Sequence, residues 1–65
     1  MTYPEFAAAL RKERERLGIT QADAAKKADV TQRTIAAWEG QEQNSIPKGP
    51  MMEGVIARLK KMAPK

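Results

Sequence analysis

The chain has no cysteine and no histidine. Without cysteine there is neither a disulfide framework nor a thiolate metal site, and without histidine the commonest metal ligand and the usual general base are missing. The only serine is Ser45, in a loop-like stretch with no basic partner of the kind a nucleophile needs. Glu13 and Glu15 alternate with arginines along one helical pattern, as on a solvated face rather than in an acid/base pair. A non-enzyme is expected, with no catalytic residues, no metal and no cofactor. Aromatic residues are few, one each of Phe, Trp and Tyr. No apolar run approaches the length of a membrane span, and Met1 to Leu10 lacks the basic-then-apolar order of a signal peptide. A cytoplasmic protein with no membrane partner is expected.

What remains is a chain of 65 residues, near the lower limit for a core built without metal or disulfide, so one domain over residues 1–65 is expected. Its 12 basic and 8 acidic residues give a net charge of +4, a bias toward polyanions that would also serve solubility.

Helical signals fill most of the length. Thr2 and Glu5 have the spacing of a capping box, and Pro4 is tolerated in the first turn. Phe6, Leu10 and Leu17, with Ala9 and Glu13 between, share one stripe, and Gly18 can end the helix in a left-handed conformation. A helix from about Tyr3 to Leu17 follows. Thr20 then caps a second helix rich in alanine, where Ala25 permits close approach of the next helix. The turn is Ala28-Asp29-Val30, with Asp29 at the left-handed position that glycine adopts most cheaply and Val30 expected beneath the corner. Thr31 caps the third helix. Ile35 and Trp38 point inward, which leaves Gln32, Arg33, Ala36 and Ala37 on the outward side.

Residues 40–49 read as a loop in which Ser45 could start one helical turn. Pro50 suits the first residue of a last helix over about residues 50–62, with Met52, Val55, Ile56, Leu59 and Met62 as its apolar stripe and Pro64 as its stop. The resulting fold class is all-α, a small four- or five-helix bundle. Residues 21–39 form the outline of a helix-turn-helix, a unit that places its second helix in the major groove of DNA.

The residues Leu17-Gly18-Ile19-Thr20-Gln21, Ala25, Val30-Thr31-Gln32, Ile35 and Trp38-Glu39-Gly40 together resemble the Cro/CI-type (XRE-like) helix-turn-helix regulators of phages and bacteria. The resemblance implies a lambda-repressor-like domain that binds a pseudo-palindromic operator in double-stranded DNA, most simply as a repressor. It implies that Gln21 clamps a phosphate and that Thr31, Gln32 and Arg33 meet base edges. In that family's pattern Ala37 also faces a base, Arg14 and Glu39 form a buried ion pair, and Asn44 and Lys48 touch the sugar-phosphate chain. Two departures stand out. Asp29 replaces the common turn glycine, and Ala36 and Ala37 stand where longer readers often sit.

Other residues admit two readings. Lys26 and Lys27, on the helix that straddles the DNA backbone in this resemblance, fit phosphate contact or plain solubility. Arg11, Lys12 and Arg16 read as a solvated face, Trp38 as core, and Lys60, Lys61 and Lys65 as a match to a helix C-terminal dipole. Ile46, Met51 and Met52 offer more apolar surface than so small a domain obviously hides, and are expected at a homodimer contact. The same methionines fit a module of this fold that binds a protein partner, such as an antitoxin, with DNA secondary.

Overall fold

A computed structural model describes residues 1–64, and Lys65 lies outside the described residues. Four α-helices and one 3-10 turn follow one another: α1 Tyr3–Leu17, α2 Gln21–Ala28, α3 Gln32–Glu39, the 3-10 turn Gln43–Ser45 and α4 Gly49–Lys60. Helix α2 packs on α3, and α1 packs against both α3 and α4, with α4 also reaching α2.

The helix starts follow local chemistry. The Thr2 hydroxyl accepts from the Glu5 amide at 3.3 Å, while the Glu5 carboxylate accepts from the Thr2 amide at 3.0 Å, so two otherwise orphaned donors are satisfied. Thr20 caps α2 by accepting from the Asp23 amide at 3.2 Å, and Thr31 caps α3 through the Thr34 amide at 3.2 Å. Each such cap contributes about 1 kcal/mol.

The first three helices also end alike. In each, one residue turns left-handed and the next amide reaches back five residues to a helix carbonyl, the Schellman arrangement. Gly18 (φ 66°) is followed by Ile19 bonded to the Arg14 carbonyl. Asp29 (φ 59°) is followed by Val30 bonded to the Ala25 carbonyl. Gln41 (φ 56°) is followed by Glu42 bonded to the Ala37 carbonyl. Asp29 thus takes the conformation its place in the turn demands. Gln41 does so unannounced, because the glycine of this stretch, Gly40, stands one residue earlier with φ −83°.

Phe6, Leu10, Ile35 and Leu59 are fully buried at the centre, one or more from α1, α3 and α4. Trp38 packs edge-on against Phe6, with ring centroids 5.3 Å apart at 72°, an arrangement that aromatic quadrupoles favour. Ala24, Ala25 and Ala28 form the buried face of α2, so alanine is what lets the two short helices meet.

Several expectations need correction. Val30 is half-buried rather than sealed beneath the corner, because α4 leaves an open groove beside it. Helix α4 begins at Gly49 and stops at Lys60, short of Pro64. Pro64 has no N–H to offer the Lys60 carbonyl, and Arg16 caps this end, its guanidinium donating to the carbonyls of Leu59 at 2.9 Å and Met62 at 3.1 Å. Arg16 also binds the buried Glu13 at 2.7 Å, so neither belongs to a merely solvated face. Ser45 closes the 3-10 turn rather than starting it.

Candidate nucleic-acid interface

Helix α3 is two turns long, and a helix this short is marginal alone. Its orientation is fixed from outside. Arg14 of α1 forms a bidentate pair with Glu39, Nε to Oε2 at 2.9 Å and Nη2 to Oε1 at 3.1 Å. The Glu39 side chain is only 3% exposed, and the hydrogen bonds to its carboxylate raise the Arg14 pKa above its ordinary value. Arg11 adds a looser contact to the same carboxylate at 3.6 Å.

Two more ties hold the end of α3 and the following loop. The Tyr3 hydroxyl lies 3.0 Å from the Glu42 carbonyl and 3.3 Å from that of Ala37. Its single proton is shared between two acceptors. Trp38 Nε1 donates to the Ser45 carbonyl at 2.8 Å, which seats the 3-10 turn. Tyr3 and Arg16 are the positioning residues that sequence reasoning missed. No local signal marks their long-range contacts, because Ala37 lies 34 residues from Tyr3 and Leu59 lies 43 from Arg16.

The outer surface of α3 that these ties present consists of Gln32, Arg33 and Ala36, all exposed. Gln32 and Arg33 have no side-chain hydrogen bond among the described residues, so both retain their full donor capacity. Thr31 is exposed too, but its hydroxyl is engaged by the Thr34 amide and lies 2.9 Å from the Thr34 hydroxyl. Capping is therefore its first role. Ala37 does not belong to this surface: it is 7% exposed. The Tyr3 phenol and the returning chain at Glu42 cover that flank of α3, so the expectation of a base-facing methyl at Ala37 is overturned.

Of the residues expected at phosphates, Lys26, Lys27, Asn44 and Lys48 are exposed and Gln21, in the first turn of α2, is half-buried. Residues 10–40 match the family model described as helix-turn-helix. Over those residues the chain is similar to the Cro/CI-type helix-turn-helix family. That family is one of DNA-binding transcription regulators. No curated protein and no solved structure matches the chain. In a helix-turn-helix, phosphate contacts fix the register of the second helix and side chains on its outer surface read base edges. Here α3 is that second helix.

Beyond the helix-turn-helix, Ile46 and Met51 are exposed, at 51% and 44%, whereas Met52 is 6% exposed and belongs to the core. The expectation that Met52 lies at a dimer contact is thereby corrected. Helical spacing turns Met51 out and Met52 in toward Val55, Ile56 and Leu59, the buried side of α4. Met51 instead borders the open groove with Val30, Gly54 and Val55. No helix among the described residues is long and apolar enough to cross a membrane.

Proposed function

We propose that the protein is a small dimeric regulator that represses by occupying a pseudo-palindromic operator in double-stranded DNA in the cytoplasm. The observation that carries this reading is the pair Gln32 and Arg33, exposed and unengaged on the first turn of a helix held by Arg14, Glu39 and Tyr3. Arg33 is suited to guanine O6 and N7, and Gln32 to adenine N6 and N7, each pair contributing roughly 1–3 kcal/mol of discrimination. Gln21, Lys26, Lys27, Asn44 and Lys48 supply sequence-independent affinity through phosphates.

A dimer follows from the arithmetic of contacts. One short helix reads too few bases, whereas two related by a two-fold axis read half-sites about one DNA turn apart. Exposed Ile46 and Met51 are the apolar side chains that support such a contact.

The experiment is repeated selection from a random duplex pool at moderate salt, followed by sequencing. An inverted repeat with half-site centres about one turn apart is the expected product. A single enriched half-site would remove the dimer. No enrichment by a folded protein would transfer the weight to a module whose Ile46 and Met51 engage a protein partner.

A further inference from the structure

The reading surface of α3 contains a third member whose chemistry differs from that of its neighbours. Ala36 is exposed, while Ile35, Ala37 and Trp38 around it are buried. At about 100° per residue, Ala36 lies about 40° round the helix from Gln32, and Arg33 lies about 100° round in the same sense. Ala36 therefore sits between the two polar side chains in angle, one turn further along. Whatever groove surface Gln32 and Arg33 straddle faces the Ala36 methyl.

A methyl group can neither donate to a phosphate nor pair with a base-edge donor or acceptor. The one feature of the major groove that an apolar side chain recognises is the C5-methyl of thymine. Helix propensity alone would be served nearly as well by Gln, Glu or Lys. Each of those would fill the space between Gln32 and Arg33 and keep the helix from close approach. Ala37 offers no competing methyl, since its flank is covered by Tyr3.

We infer that Ala36 is a specificity-determining residue that selects thymine through its C5-methyl. This inference rests on the reading of α3 as the DNA-reading helix. The thymine lies close to the base read by Gln32. Four residues of helix rise about 6 Å, and stacked bases rise about 3.4 Å per step, so the two positions fall within about two base pairs of one another.

Uracil tests the point, because it keeps every hydrogen-bonding group of thymine and deletes only the methyl. The selected operator is made with uracil at each thymine in turn, in both half-sites. Each duplex is titrated against the full chain and against Ala36→Gly and Ala36→Ser, with thermal melts to establish that the variants fold. At one thymine per half-site, uracil should weaken binding of the unmodified chain by about four-fold per half-site, the equivalent of one buried methyl group. Both variants should lose most of that difference at that position and keep their preference at the base read by Arg33. Equal uracil sensitivity in all three proteins, or none in any, overturns the role of Ala36 while leaving sequence-specific binding intact. A protein that selects no sequence at all removes both this inference and the reading beneath it.

Discussion

Tyr3 begins α1 yet holds the far end of α3 and the loop beyond it. Burial raises its pKa above the usual phenol value, and the nearby Glu42 carboxylate acts in the same direction. A folded-state pKa above the unfolded one means that the unfolded chain releases its proton first as pH rises. The stabilising contribution is therefore complete below about pH 10 and is lost as pH climbs through the folded pKa. Because Tyr3 is the only tyrosine, phenolate absorbance reports it directly. We expect that absorbance at higher pH in the native chain than in the denaturant-unfolded one; coincident curves would mean the phenol is free in the fold. Arg33 is the residue whose loss should change base choice rather than stability. Arg33→Ala should relax preference at one position per half-site by roughly 1–3 kcal/mol, read by titrating operator variants, with the melting temperature unchanged. Gln32 and Arg33 are legible as outward residues because helical spacing from Ile35 and Trp38 settles their side. Ala37 is not, since only the distant Tyr3 decides that its flank is covered.

The helix ends show how far local rules reach. Starts are readable because Thr2, Thr20 and Thr31 each lie three residues before the amide they cap. Gly18 and Asp29 are readable as ends, since glycine takes the left-handed region freely and Asp tolerates it. The end of α3 is misleading in sequence, for the glycine is at position 40 and the left-handed residue is Gln41. A side chain with a Cβ costs about 1–2 kcal/mol in that region, and Gln lacks the short polar group that relieves it in Asp. We expect Gln41→Gly to raise stability by about 0.5–1 kcal/mol, part of the relief being offset by added freedom of the unfolded chain. Asp29→Gly should gain less. Chemical denaturation of both variants beside the parent checks the order, and a larger gain at Asp29 would contradict it.

At the scale of the whole molecule, two arginines of α1 tie the chain together. Arg14 fixes the end of α3, and Arg16 binds Glu13 within α1, the Leu59 carbonyl of α4 and the Met62 carbonyl just beyond it. Removing Arg16 would leave the Glu13 carboxylate buried without its cation and the α4 terminus without its donor. Arg16→Ala should therefore destabilise the domain by roughly 1–3 kcal/mol, with amide exchange rising first in the last turn of α4. A loss confined to a few tenths of a kcal/mol would show the contact to be solvated. The sequence by itself determined the four helices, the threonine caps of the first three, the alanine face of α2 and the inward positions of Phe6, Leu10, Ile35 and Trp38. These depend on neighbours three or four residues away, and spacing records them. Only the tertiary structure decided that Ala36 and not Ala37 is exposed on α3, and that Arg16 caps the end of α4. Each depends on what a remote segment covers or donates to, and such contacts leave no periodic trace in the chain.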